Sequence, residues 1–207
     1  MSSKTQQLMG VDAPLIAVFE EGDPQESPWV DGAPVLERIE VQAHAPTWAA
    51  QFLALKQDLQ AALTGKAVAI EHVGSTAVPD LLAKPVIDID LIVADPDDEG
   101  AYVPELASLG YRLTVRERSW YQHRMLRLDA PRANLHVFGP ACPEHVRHLL
   151  FRDWLRAHPQ DRLHYADAKA QAKTDADTAP TYNQRKQAVV RAIYAKIFES
   201  LGLVGAA

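Results

Sequence analysis

The stretch EHVGSTAVPDLLAKPVIDID, from Glu71 to Asp90, decides how this chain is read. The apolar run Ala67 to Ile70 leads into the turn pair Gly74-Ser75, which opens a short helical segment, and the chain returns as a strand from Val86 to Val93. Side chains alternate along a strand, so Asp88 and Asp90 share one face while Ile87, Ile89 and Leu91 take the other. The two Asp Cα atoms then lie about 6.5–7 Å apart, close enough for the carboxylates to converge on a hard cation of the Mg2+ type. Gly74 and Ser75 supply the complementary part, since backbone N–H groups at a helix start, beside a residue without a side chain, suit phosphate. Each feature has a plainer reading when taken alone. Asp-x-Asp also marks the solvated face of a half-buried sheet, and Gly-Ser is a common turn. The combination carries the chemistry, because two like charges flanked by apolar residues are costly unless a cation or water neutralises them.

A Gly-Ser turn followed at this distance by an Asp-x-Asp strand resembles the signature of the nucleotidyltransferase fold of the polymerase beta-like superfamily. More narrowly, Ile70 to Pro79, Ala83 to Ile89 and Phe151 to Pro159 resemble the GrpB family, also called UPF0157, over about residues 38–198. The resemblance implies an α/β (α+β) fold: a nucleotidyltransferase-like, mixed and mostly antiparallel sheet with helices on one side and a helical C-terminal third. It also implies metal-dependent transfer of a nucleotidyl group from a nucleoside triphosphate to a small-molecule or protein acceptor, with Asp88 and Asp90 as the catalytic carboxylates. These would hold Mg2+ or Mn2+, while Gly74, Ser75, Lys84 and Arg124 hold the phosphates. The superfamily usually brings a third carboxylate from a neighbouring strand. Here Asn134 to Phe138 offers His136 instead, a metal ligand that would favour Mn2+ over Mg2+. A function of another class uses the same cleft: a nucleotide- or anion-binding module without catalysis, serving regulation or a partner protein.

Composition bounds these readings. The 207 residues suit one domain, 47% hydrophobic and 23% charged, with no apolar run near the roughly 20 residues of a membrane span. Lys and Arg number 21 against 27 Asp and Glu, and the net charge of -6 argues against broad binding to nucleic acid or an anionic membrane and for a small ligand. Cys142 is the only cysteine, which excludes an internal disulfide and points to the cytoplasm. Residues 1–34, rich in Ser, Gln, Gly, Pro and acidic side chains, read as a flexible extension. One short strand at Leu15 to Phe19 is expected there, pairing with a sheet edge or a second subunit, and residues 35–201 read as the domain.

Within that domain, Val35 to Val41 alternates as a strand. Pro46 opens a helix to Leu63, whose Trp48, Phe52, Leu55, Leu59 and Ala62 share a face as core residues do. Asp95-Pro96-Asp97-Asp98 reads as a turn and helix cap, and Gly110 as the stop of that helix. Strands follow at Tyr111 to Val115, Trp120 to Leu128 and Asn134 to Phe138. Six arginines lie between Arg112 and Arg132 in this acidic chain. Arg124, beside His123 in a strand, is the candidate for a triphosphate, with a solvated arginine face as the alternative. Cys142, His145 and His148 recur every third residue, but structural zinc needs four ligands and helical periodicity alone yields such spacing. Helices from Pro143 to Ala157, Asp161 to Lys173 and Thr181 to Leu201 complete the chain. They put Tyr165 and Lys169 on one face, and Tyr182 and Lys186 on another. Both lysines read as solvated, with an anionic ligand as the alternative.

Overall fold

β1 (Ala67–Val73), β2 (Ile87–Val93), β3 (Arg112–Glu117), β4 (His123–Asp129) and β5 (Arg132–Phe138) form one mixed sheet in the order β1-β2-β5-β4-β3. The computed structural model that carries them describes residues 10–33, 39–173 and 178–203. β2 and β5 run parallel, and the other neighbours are antiparallel. The helices among the described residues are α1 (Ala13–Ala17), α2 (Thr47–Ala62), α3 (Val103–Ser108), α4 (Pro143–Ala157), α5 (Pro159–Ala172) and α6 (Ala179–Ser200). The chain thus has the mixed, mostly antiparallel sheet and the helical C-terminal third expected of it.

Alternation along the strands sets the layers. Ile87, Ile89, Leu91 and Val93 of β2 join Leu135 and Val137 of β5 and Leu126 of β4 in one buried cluster with Trp48, Phe52, Leu55 and Leu59 of α2 and Leu106 of α3. Complete burial of such side chains contributes about 1.5–3 kcal/mol each. The opposite face of β2 and β5 presents Asp88, Asp90, Asn134 and His136. Over it lie α4, α5 and α6, packed together through Val146, Leu155, Tyr165, Ile193 and Ile197. No helix among the described residues is long and apolar enough to cross a membrane.

The N-terminal expectation changes. Instead of a strand at Leu15 to Phe19, Ala13–Ala17 is a helix with Pro14 in its first turn, a position that suits proline. It docks on the domain. The Arg147 guanidinium of α4 donates to the carbonyls of Ile16 at 3.1 Å and Val18 at 2.8 Å, and Phe19 packs edge-on to Tyr194. Further on, Trp29 bridges Val115, and the Glu26 carboxylate accepts from the backbone N–H of Arg118 and Ser119, so the free edge of β3 is covered. Most of the strand expected from Val35 to Val41 lies outside the described residues. Beyond it, Gln42 pairs with Ala83.

The Gly74-Ser75 turn is fastened from within. Thr76 Oγ1 donates to the Val86 carbonyl at 3.2 Å, so its lone pair accepts from His72 Nε2 at 3.0 Å, and the His72 ring stacks on Phe52 at 4.5 Å. Burial, assisted by the Arg156 and Arg152 charges, pushes the His72 pKa down to about 4. Unfolded histidine titrates near 6.5. Between these values only the unfolded chain takes up this proton, so the contribution of His72 is present above pH 6.5 and lost as pH falls toward 4. The melting temperature should therefore drop between pH 6.5 and 4, less steeply in His72→Gln. Thr76→Val, which orphans both partners, should cost about 1–3 kcal/mol in urea titrations at pH 7.

Candidate functional site

β1 ends at Val73, and its antiparallel register with β2 sets Val73 opposite Asp88. The next residue, Gly74, has φ +66, and a Cβ there would lie 2.9 Å from Asp88 Cβ and 3.0 Å from its Cγ. Only glycine fits both the backbone conformation and the space. The Gly-Ser turn therefore rests directly on Asp88. On the other side of β2, the parallel register places Asn134 beside Asp88 and His136 beside Asp90, and Asn134 Nδ2 donates to Asp88 Oδ1 at 3.0 Å.

A chain of imidazoles runs from this point across the sheet. His136 Nδ1 lies 3.0 Å from His123 Nε2, and His123 Nδ1 lies 2.7 Å from Glu117 Oε2. Burial, with the His123 charge, pulls the His136 pKa down to about 4 against the opposing pull of Asp90 and Asp88. His136 is thus neutral at pH 7. His136 Nδ1 engages His123 Nε2, and in the tautomer whose Nδ1–H donates, His136 Nε2 is a base.

Asp90 has a different fate. It is fully buried, and Oδ2 accepts from His145 Nδ1 at 2.8 Å, while His148 Nδ1 lies 3.0 Å from both oxygens. Burial opposes its ionisation, but the His148 charge and the two imidazole hydrogen bonds outweigh that and hold its pKa well below the usual carboxylate range. The reciprocal balance raises His148 well above the ordinary histidine value: burial acts against the cation, but Asp90 and, on the Nε2 side, Glu144 at 3.5 Å stabilise it. Arg147 in turn donates to Glu144 at 2.7 Å.

Gly74, Ser75, Lys84, Asp88 and His136 all line one cavity of about 440 Å³, which His148 also lines, and Lys169 of α5 with Tyr182 and Lys186 of α6 bound it from the helical side. Five of the seven residues singled out in the sequence thus meet in one place, and Asp90 lies buried behind them. Arg124 is the exception. In β4, His123, Met125 and Arg127 line the cavity, so Arg124 must project to the other face. There it is fully buried, pairing with Asp97 at 2.5 Å and Glu99 at 2.6 Å. The Asp95 to Asp98 cluster consequently serves more than a helix cap.

The pairing of Asp90 also bears on the expected metal set of Asp88, Asp90 and His136. Both Asp90 oxygens are taken by imidazoles, and among the described residues no three His, Cys, Asp or Glu side chains converge as a ligand set. The residues do not fit a resident Mg2+ or Mn2+ as anticipated. The sequence reading passed over His145 and His148 as partners of Asp90. The available signals were their spacing on one helix face and a buried Asp-x-Asp in need of neutralisation.

The profile of the family described as GrpB protein matches residues 38–196. The chain belongs to the GrpB family. A UPF0157 protein of Halalkalibacterium halodurans is 41% identical over 156 residues, covering 75% of this chain and 80% of that protein. A dephospho-CoA kinase of Mycobacterium bovis is 32% identical over 158 residues, 64% of this chain but 39% of that longer protein. The crystal structure of GrpB from Enterococcus faecalis superposes with a TM-score of 0.67 at 28% identity, covering 78% of this chain and 99% of that one. α1 and the Trp29 contact precede the GrpB match.

The two carboxylates of this GrpB domain should differ in what their mutation costs. Asp90→Asn removes the charge that stabilises the buried His148 cation and should cost about 3–5 kcal/mol, whereas Asp88→Asn, half-buried with one amide donor, should cost about 0.5–1.5 kcal/mol. Urea denaturation at pH 7 measures both.

Proposed function

We propose that the cleft binds a nucleoside triphosphate through its phosphates and presents it for transfer of the nucleotidyl group to an acceptor. One observation carries this reading: the Gly74-Ser75 turn is seated on Asp88 in the same cavity that receives Lys84 and His136. Gly74, Ser75 and Lys84 would hold the phosphates and His136 Nε2 would take the proton of the acceptor hydroxyl. The acceptor oxygen then bonds to the α-phosphorus as the bond to pyrophosphate breaks, and the departing charge stays against the cationic wall. Asp88, half-buried and steadied by Asn134, would orient the acceptor. The relationship to part of a dephospho-CoA kinase accords with a phosphate-bearing ligand. A nucleotide ligand, like the single cysteine, suits the cytoplasm.

The second reading, a nucleotide- or anion-binding module without catalysis, is favoured by the engagement of Asp90 with two histidines. It keeps the ligand and drops the chemistry.

The melting temperature should rise with ATP, GTP, CTP or UTP, tested singly with and without Mg2+ or Mn2+. Binding to the folded state alone stabilises by about 2.7 kcal/mol at a hundredfold excess over Kd. No shift with any of the four would remove both readings. A shift without pyrophosphate release in the presence of candidate acceptors would assign the module.

A further inference from the structure

The far wall of the cleft holds three ammonium groups around two phenol rings. Lys169 of α5 is only 2% exposed, and its Nζ donates to the Leu82 carbonyl and lies 5.2 Å from the centroid of the Tyr165 ring. Lys186 of α6 donates to Tyr165 Oη at 3.1 Å and stands 5.3 Å from the Tyr182 ring centroid. Lys84, in the loop before β2, approaches the same Tyr182 ring to 5.5 Å. Among the described residues no carboxylate pairs with Lys169 or Lys186, and Asp88, acting from across the cleft, is the one that favours the Lys169 cation.

This arrangement is costly as it stands. An ammonium carries three donors, and a buried one without a counter-ion is destabilising in proportion to its burial. Burial and the charges of Lys186 and Lys84 accordingly drive the Lys169 pKa well below its ordinary value. Tyr182 adds a second, independent sign. Its side chain is 1% exposed and its hydroxyl is buried without a hydrogen-bond partner, although the residue lines the cavity. Buried hydroxyls and ammonium groups without partners are rare unless a ligand or water completes them.

We infer that Lys84, Lys169, Lys186 and Tyr182 form a binding site for a polyphosphate group, the di- or triphosphate of a nucleotide or an inorganic polyphosphate of that length. A triphosphate offers acceptors to the lysine ammonium groups and to the Tyr182 hydroxyl together, and lies along a cavity whose other end is the Gly74-Ser75 turn. Cations from a loop, α5 and α6 thereby replace Arg124, and the helical C-terminal third becomes the wall that closes on the ligand. The inference deepens the reading of the cleft as a phosphate site and rests on it.

The test uses the full chain and three probes at constant ionic strength: sodium tripolyphosphate, pyrophosphate and orthophosphate, followed by calorimetric titration and melting temperature. Tripolyphosphate should bind more tightly than pyrophosphate, and orthophosphate least. Lys186→Met and Lys169→Met should each weaken tripolyphosphate at least tenfold, and Lys186→Arg should retain more binding than Lys186→Met. The unliganded Lys169→Met variant should melt no lower than the parent, because it loses a buried ammonium without a counter-ion. If Lys169→Met does not fold, the Lys186 pair decides alone. Absence of tripolyphosphate binding by the parent, or equal binding by parent and Lys186→Met, overturns the site. Tripolyphosphate binding with no response to any nucleoside triphosphate upholds this site and removes the nucleotide. A nucleotide response equal in parent and Lys186→Met does the reverse.

Discussion

The buried carboxylate of Asp90 is the interaction on which the arrangement of this molecule depends. It lies on β2, an interior strand, and the only route to keeping it ionised without water is to bring donors to it from another layer. His145 and His148 come from one face of α4, fixing both the height and the rotation of that helix above the sheet. α5 and α6 pack on α4, and α1 is held to it by Arg147, so the position of the whole helical third follows from one charge-assisted contact. The cost of removing a carboxylate from water is large, and the two imidazoles with Glu144 and Arg147 behind them offset it as a network.

That contact also divides labour between the two aspartates. Asp90 binds the layers together and Asp88 opens on the cavity, although they lie on the same strand face. The difference is depth: α4 covers the sheet at Asp90, while at Asp88 the neighbour is a glycine turn that leaves room. A cleft results with acidic and imidazole groups on the sheet side and ammonium groups on the helix side. Such a division of charge within an acidic protein suits a ligand that carries phosphates at one end and a reacting or recognised group at the other.

Much of this was legible in the chain because the signals are local. The alternation of Val86 to Val93 specified which face Asp88 and Asp90 share, and Pro143 together with Pro159 bounded α4 at the residues observed. Gly74 announced a turn, and its φ of +66 shows why no other residue would serve. His136 was placed on the polar face by the same alternation, and the parallel register with β2 puts it directly beside Asp90. The N-terminal segment misled, since a five-residue apolar run reads equally as strand or helix. The choice there came from Arg147, a residue distant in sequence that binds the segment's carbonyls.

By itself, then, the sequence determined the family, the strand and helix periodicity, the Gly-Ser turn and the shared face of Asp88 and Asp90, because each is encoded in spacing along a single element. Tertiary structure alone decided that Asp90 is sealed by His145 and His148, that Arg124 turns away to Asp97 and Glu99, and that Lys84, Lys169 and Lys186 meet across the cavity. The physical reason is common to all three. Whether a charge is solvated, paired or left facing a ligand depends on what the other layers bring within a few ångströms of it, and that is a property of packing between distant segments.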